Sequence, residues 1–165
     1  MVRNMKLPER KPNRICEYDY STNGAYFVTV CTHDRKKILW DGVGADIIRP
    51  EDLRLSPVGK IVEQAILQIP HHYNNIIVDK YCIMPDHVHL ILRIESEISG
   101  RMISAPTLST ALGSLKRWVS KQVGRPIWQK SYYDHVIRNQ KDYDEIWQYI
   151  ENNPVKWQLR SDDDF

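Results

Sequence analysis

Two histidines separated by a single residue, His87 and His89, stand in the stretch YCIMPDHVHLIL (residues 81–92). In a β-strand, alternate side chains lie on the same face, so both imidazoles would point to one side. At a spacing of about 6.5–7 Å along the strand, the two rings can converge on one ion. Imidazole is a common ligand of divalent metals, and a cation held there could polarise a phosphate oxygen. Taken alone, however, such a pair is more often two ordinary surface histidines.

A second candidate group lies in the segment NQKDYDEIWQYIENNP (residues 139–154). Tyr149 borders the predicted inward face of a helix, and Asn153 follows it by one turn on the same side. A tyrosine can act as a covalent nucleophile, although its ordinary pKa of about 10 means that a metal, a base or a cation must assist. The amide oxygen of Asn153 can coordinate a metal. The alternative is that Tyr149 is an aromatic residue at the edge of the core, which is the commoner role of a helical tyrosine.

The strands that would position the histidines are predicted from clusters of β-branched and aromatic residues at 24–33, 76–84, 87–94 and 131–138. Pro85 and Asp86 separate the second and third of these segments and predict a hairpin turn. Within the third segment, the side chains that alternate with the histidines are apolar and predict a face toward the core: Val88, Leu90, Leu92 and Ile94. The histidines then lie on the opposite, mostly polar face.

The helices are predicted from apolar stripes at helical spacing, at 56–69, 108–124 and 139–154. Ser56 and Asn139 are suitable N-caps, and Pro57 fits the first position of a helix. Pro154 disfavours helical geometry at the preceding residue, which predicts that the last helix ends near Asn153. The order of elements predicts an α+β domain in which helices pack on an antiparallel sheet.

Basic residues are concentrated in two tracts of a chain whose formal net charge is only +2. The first tract covers residues 1–14. In the second, residues 115–141, Asp134 is the only acidic residue among the cations Lys116, Arg117, Lys121, Arg125, Lys130, Arg138 and Lys141. Two such tracts indicate a polyanionic partner, although a solvated basic face explains them equally well.

Length and cysteine usage exclude several classes of protein. A chain of 165 residues is too short for an (α/β)8 barrel of about 200–250 residues, in which an H-x-H pair can mark a metal hydrolase. The three cysteines form no C-x-x-C pair, which disfavours a disulfide scaffold and a four-cysteine zinc site. No apolar run approaches the about 18–20 residues of a membrane helix, and the first residues lack the apolar region of a signal peptide. We therefore expect a soluble, cytoplasmic protein.

Three segments together resemble a known family. The stretches YCIMPDHVHLIL, SYYDHVIRNQKDY and YIENNPVKW, with IWQ before the second, occur in the order seen in the single-tyrosine transposases of the HUH class. The resemblance is greatest to the REP-associated tyrosine transposases and runs from about residue 24 to residue 157. It implies a single transposase domain at 24–157, preceded by a basic arm at 1–23 and followed by an acidic tail at 158–165.

The resemblance also implies a fold and a chemistry. The fold would be a central antiparallel sheet of about four to five strands with packed helices, similar to ferredoxin-like and RNA-recognition domains. His87 and His89 would bind a divalent metal ion, Mg²⁺ or Mn²⁺, with Asn153 completing the site. Tyr149 would be the nucleophile that cleaves and rejoins single-stranded DNA, at or near a hairpin, through a 5′-phosphotyrosine intermediate.

DNA contacts are expected from the second basic tract. We expect backbone contacts from Lys116, Arg117, Lys121 and Arg138, and base stacking from Trp128 if it is exposed. Insertion-sequence relatives in this class commonly act as dimers with composite sites, whereas REP-associated relatives can be monomeric, so the resemblance leaves both a homodimer and a monomer open. A membrane partner is not expected.

Two departures from the family pattern keep other functions open. Asp86 precedes His87 where many relatives have Asn, and the tail SDDDF is acidic. Both features are compatible with a copy that only binds structured DNA or RNA. A small metal-dependent phosphoesterase that uses water is the other alternative. The transposase reading requires His87 and His89 to lie close to Tyr149, although about 60 residues separate the histidines from the tyrosine.

Overall fold

The computed structural model describes residues 23–42, 54–95 and 107–162, without the side chains of 155 and 158–162. Its centre is a four-stranded antiparallel sheet with the order β4-β5-β1-β6. The strands are β1 (Gly24–Cys31), β4 (Ile76–Ile83), β5 (His87–Ile94) and β6 (Tyr133–Ile137). Two short strands, β2 (Trp40–Asp41) and β3 (Arg54–Leu55), form a separate pair. The predicted α+β fold with an antiparallel sheet is confirmed.

The predicted hairpin is confirmed in detail. β4 and β5 pair antiparallel, with Ile83 opposite Val88, and the turn between them contains Pro85 and Asp86. The backbone N–H of Thr32 and its hydroxyl both donate to the carbonyl of Asp86, and the N–H of Leu39 donates to that of Pro85. These bonds fix the turn to the chain that follows β1, directly before the first histidine.

Three helices complete the domain: α1 (Pro57–His72), α2 (Leu108–Val123) and α3 (Gln140–Asp162). The predicted caps are confirmed, because the Ser56 hydroxyl accepts from the N–H of Gly59 and the Asn139 amide oxygen accepts from that of Asp142. α2 ends at Gly124, whose φ of 80° is left-handed and therefore suits glycine. Within the described residues, no helix is both long and apolar enough to cross a membrane.

The sheet has helices on both faces. The larger core joins Val28, Leu90 and Leu92 to the buried side chains of α1 and α2. The opposite face carries a smaller core of Ile91, Ile137 and the α3 residue Ile150. The predicted core face of β5 is therefore confirmed, but the face that carries the histidines is covered in part by α3 and is not simply a polar surface.

The predicted end of the last helix was wrong. α3 continues past Pro154 to Asp162, so the predicted domain boundary at residue 157 falls inside a helix. Proline removes one backbone hydrogen bond but does not prevent a helix when packing holds the following turns. Trp157 supplies such packing, since its ring lies 5.5 Å from that of Trp40 and 5.4 Å below the Lys37 ammonium. The predicted arm up to residue 22 and the last three residues of the tail lie outside the described residues.

Candidate active site

The two histidines converge at their outer ring nitrogens. Nε2 of His87 lies 3.0 Å from Nε2 of His89, and the ring centroids are 4.6 Å apart. Two nitrogens that bind the same ion at about 2.0–2.1 Å, as neighbouring ligands at about 90° to the tetrahedral angle, lie about 3–3.4 Å apart. The spacing of the two Nε2 atoms therefore matches that of neighbouring ligands of one cation.

The inner nitrogens of both rings have partners that favour this use of Nε2. Nδ1 of His89 lies 2.9 Å from the hydroxyl of Thr29, and Nδ1 of His87 lies 2.6 Å from a carboxylate oxygen of Asp86. In the tautomers that carry the proton on Nδ1, both N–H groups donate to these oxygens and both Nε2 lone pairs are free. Two lone pairs that face each other at this distance repel unless a proton or a metal cation lies between them.

Asp86 belongs to a chain of charged contacts. Its second carboxylate oxygen lies 3.0 Å from Nε of Arg35, and a terminal nitrogen of Arg35 lies 2.8 Å from the sulfur of Cys31. Burial raises the pKa of Asp86, but its hydrogen bond to His87 and the charges of His87 and Arg35 outweigh burial and hold the pKa below its ordinary value. The carboxylate is therefore ionised when it accepts from His87.

His89 is buried and remains uncharged. Its side chain is only 4% exposed, and the Phe27 ring stacks on it at 5.3 Å. Burial, followed by the charges of His87 and Arg35, lowers the pKa of His89 to about 3. The imidazole is thus neutral at physiological pH, which is the form that can bind a metal.

Tyr149 lies directly beside His89, as the resemblance to the single-tyrosine transposases predicts. The two ring centroids are 5.3 Å apart, and the Tyr149 ring also meets Phe27 edge-on at 6.1 Å. Tyr149 is nevertheless 45% exposed, so a ligand in the cleft can reach it. α3 thus brings a tyrosine next to a histidine 60 residues away in the chain.

Asn153 lines the same cleft one turn further along α3. Its amide nitrogen is buried without a hydrogen-bond partner. Because the oxygen and nitrogen of an amide can be exchanged by a flip, this buried position can equally present the carbonyl oxygen. A metal ion bound to that carbonyl oxygen would satisfy this buried position. The residues present therefore fit a divalent cation bound by His87, His89 and Asn153, although among the described residues no three His, Cys, Asp or Glu side chains cluster closely enough to bind one by themselves.

The cleft around these residues has a volume of about 710 Å³ and carries positive charge at its rim. Arg35 and Lys37 follow β1, and Lys156 projects from α3. An exposed tyrosine, Tyr133, stands on the β6 side. A cleft with a histidine pair spaced to fit a cation, a reachable phenol and three basic side chains suits a phosphodiester substrate.

The residues that we expected to contact DNA lie elsewhere. Arg117 and Lys121 line a groove between α1 and α2, on the sheet face opposite the histidines. Arg138 follows the end of β6 that pairs with Ala25, whereas Tyr133 at the other end of β6 pairs with Thr29. A role of these cations in DNA binding stays a prediction, and it concerns surfaces outside the cleft.

The Lys116 and Trp128 side chains are used within the fold: Lys116 bonds to backbone carbonyls, and Trp128 packs in the core. The Lys116 ammonium donates to the carbonyls of Gln129 and Lys130, and burial lowers its pKa. Trp128 is only 7% exposed and belongs to the larger core, so our expectation of an exposed stacking ring at this position is contradicted. An isolated antiparallel bridge pairs Trp128 with Thr32, just after the end of β1.

Sequence reasoning missed the cleft residues Thr29, Arg35 and Lys156. The position of Thr29 on β1 contained a signal, because strand alternation places it on the same face as Phe27. Arg35 lies in a short 3₁₀ turn, His33–Arg35, in which both Asp34 and Arg35 have a φ of 55°. No sequence pattern marks such a turn. Lys156 was missed because we ended the last helix too early.

Several known proteins are similar to this chain in sequence or in fold. An uncharacterized protein of Haemophilus influenzae is 29% identical over 174 residues, covering 94% of this chain and 93% of that protein. A REP-associated tyrosine transposase of Escherichia coli is 30% identical over 82 residues, which cover 48% of this chain and 44% of that protein. The solved structure of a REP-associated tyrosine transposase bound to a REP hairpin has the same fold, with a TM-score of 0.61 at 24% identity, covering 86% of this chain and 74% of that one.

The family assignment rests on the match to a family model, not on any single relative. The model of the family described as "Transposase IS200 like" matches residues 21–153, from just before β1 to Asn153. That range contains the histidine pair, the tyrosine and all four strands of the sheet. Since the match covers well over half of the chain, the protein belongs to the IS200-like transposases.

Proposed function

We propose that the protein cleaves and rejoins single-stranded DNA, at or near a hairpin, with Tyr149 as the nucleophile. The observation that carries the proposal is the proximity of a half-exposed phenol to the paired histidines, at 5.3 Å between the Tyr149 and His89 rings. Family membership and the fold shared with a hairpin-bound transposase support it. The site forms within one chain, so no second copy is needed to bring these groups together.

The proposed reaction exchanges one phosphodiester for another. The Tyr149 oxygen attacks the scissile phosphorus, and the bond from phosphorus to the 3′-oxygen breaks. The phenol loses its proton as the leaving 3′-oxygen gains one, which gives a 5′-phosphotyrosine and a free 3′-OH. Because a phosphodiester is retained, a 3′-OH can reverse the step without ATP. A divalent cation at His87 and His89 would polarise the scissile phosphate.

The protein residues have separate tasks in this scheme. The cations at the rim bind the DNA backbone and raise the local concentration of the strand. Arg35 and Asp86 hold His87 in one orientation. Phe27 packs against both the His89 and Tyr149 rings and so keeps the phenol beside the pair. Positioning of this kind is a large part of the catalysis available to a phosphoryl-transfer site.

The direct test uses a hairpin-forming single strand from the DNA that flanks the gene, incubated with Mg²⁺ or Mn²⁺ and run on a denaturing gel. Wild type is expected to give a covalent protein–DNA adduct, and Tyr149→Phe none. Tyr143→Phe is the matched control, since Tyr143 lies on the same helix but bonds Asp79 outside the cleft. It should retain the adduct.

Other outcomes would point to the other functions. Binding without an adduct in wild type would indicate a module that only binds nucleic acid. DNA cleavage that forms no adduct and persists in Tyr149→Phe would indicate hydrolysis by water. Loss of the adduct in Tyr133→Phe with retention in Tyr149→Phe would mean that the wrong tyrosine has been assigned.

A further inference from the structure

An exposed aromatic side chain, that of Tyr133, lies at the β6 side of the cleft. Tyr133 is 58% exposed on an edge strand of the sheet. Its backbone pairs with Thr29 in the sheet, but its side chain makes no hydrogen bond or ring contact with the other described residues. Its neighbour Tyr132 is buried, and the Tyr132 hydroxyl lies within hydrogen-bonding distance of the Ser109 hydroxyl. The backbone at this point is therefore anchored, while the Tyr133 ring is exposed and makes no ring contact within the described part of the chain.

The sheet register fixes where that ring lies relative to the histidines. Tyr133 is the direct partner of Thr29 on β1, and Thr29 is the direct partner of His89 on β5. Directly paired residues share a face of the sheet, so the three side chains form one row across it. Adjacent strands are about 4.7–4.9 Å apart, which places the Tyr133 backbone about 10 Å from that of His89.

The row has a small residue between two rings. Thr29 is the short side chain in the middle, and the three line one cleft with Tyr149. A phosphate at the histidines and Tyr149 would leave the neighbouring sugar above Thr29 and the base at the height of the Tyr133 ring. Aromatic rings beside a cationic groove are the usual means by which proteins hold unpaired bases.

We propose that Tyr133 forms a nucleobase-stacking subsite for a nucleotide adjacent to the scissile phosphate. The proposal rests on the proposed function, since it takes the histidine pair as the position of that phosphate. Two parts of the DNA strand are then bound by different residues. Arg35, Lys37 and Lys156 bind the DNA backbone, and Tyr133 stacks on a base. Stacking needs only the π-face of the base, so this subsite tolerates any sequence.

The test compares two DNA probes that differ only in their bases, (dT)12 and a twelve-residue strand of abasic sites. Binding is measured by fluorescence anisotropy in EDTA, so that no cleavage occurs. Wild type is expected to prefer (dT)12, and Tyr133→Ala is expected to lose about 5- to 150-fold in affinity for (dT)12, as stacking on one aromatic ring predicts. Affinity for the abasic strand should change little. Tyr133→Phe and Tyr133→Trp should keep the preference.

Trp118→Ala is the matched control, because Trp118 is 40% exposed on α2, on the other side of the sheet. It should bind both probes as wild type does. The proposal is overturned if Tyr133→Ala keeps the full preference for (dT)12, if it weakens both probes equally, or if Trp118→Ala alone removes the preference. Because Tyr133 is exposed, the variant should fold, which its thermal unfolding checks.

The two proposals can fail separately. A wild-type adduct together with an unchanged base preference in Tyr133→Ala would reject the stacking subsite and leave the transesterase intact. Absence of any adduct together with loss of the preference would reject the cleavage chemistry and leave the subsite intact.

Discussion

Asp86 orients one of the paired histidines and sets the charge beside it. It accepts from Nδ1 of His87 with one oxygen and contacts Arg35 with the other, at 2.6 and 3.0 Å. A carboxylate alone would repel a phosphodiester in the same cleft. Arg35 offsets that charge, and the turn that supports Arg35 has two consecutive non-glycine residues at positive φ, a strained arrangement that is typical of functional sites.

We expect Asp86→Ala to weaken metal binding by about 10- to 100-fold, the usual cost of removing a partner that orients a histidine ligand. Asp86→Asn should lose less, because an amide oxygen can still accept from Nδ1. Titration with Mn²⁺ followed by electron paramagnetic resonance measures this without requiring DNA cleavage. Asp34→Asn is the control, since Asp34 forms a similar but exposed pair with His33, at 2.9 Å. Equal metal affinity in wild type and Asp86→Ala would contradict the role of Asp86.

At the scale of elements, α1 supports the hairpin turn from the far side of the domain. The N–H of Ser56 donates to the carbonyl of Leu39, and the N–H of Leu39 donates to the carbonyl of Pro85. The start of α1 therefore fixes Leu39 in place, and Leu39 in turn fixes the hairpin turn before His87. Gly59 is required at this contact because a Cβ there would lie 2.1 Å from the Leu39 oxygen.

Gly59→Ala is expected to destabilise the protein by about 1–3 kcal/mol, since the helix and the Leu39 backbone must move apart. Gly113→Ala on α2 is the opposite case, because the nearest atom to its Cβ would be a flexible Arg117 nitrogen at 3.9 Å. It should stabilise by about 0.4–1 kcal/mol, as alanine is favoured over glycine inside a helix. Urea unfolding measures the free energy of unfolding of both variants. A change of the same sign in both, relative to wild type, would contradict this account.

At the scale of the whole molecule, the site joins parts that are distant in the chain. β5 carries His87 and His89, whereas Asn153 belongs to α3, which packs on the same face of the sheet. An ion bound by all three would link α3 to the sheet. Because the unfolded chain does not hold these ligands together, such an ion should stabilise the native state.

Mn²⁺ at about 100 times its Kd should therefore raise the free energy of unfolding of wild type by about 2.7 kcal/mol. The double variant His87→Ala, His89→Ala should show no such rise, and its DNA cleavage should be lost. His71→Ala, His72→Ala is the matched control, since both histidines are exposed at the end of α1. Thermal unfolding with and without Mn²⁺ measures the effect. An undiminished rise in the His87, His89 variant would show that the metal binds elsewhere.

Much of the architecture could be predicted because it depends on local rules. Alternation along β5 separated the histidines from Val88, Leu90 and Leu92, and both groups lie on the predicted faces. Cap residues such as Ser56 and Asn139 accept hydrogen bonds from backbone N–H groups three positions away. The errors arose where packing outweighed a local preference, as in α3, which continues through Pro154 while Trp157 packs on Trp40.

The sequence by itself determined the order of elements, the shared face of His87 and His89, and the helical pairing of Tyr149 with Asn153. These follow from strand and helix periodicities, which act within a few residues. Only the tertiary structure decided that Tyr149 meets His89, that Trp128 is buried, and that Arg117 and Lys121 face away from the cleft. Such facts depend on which face of the sheet each helix covers. Which face a helix covers depends on the apolar area buried over the whole core, and no short stretch of sequence determines that area.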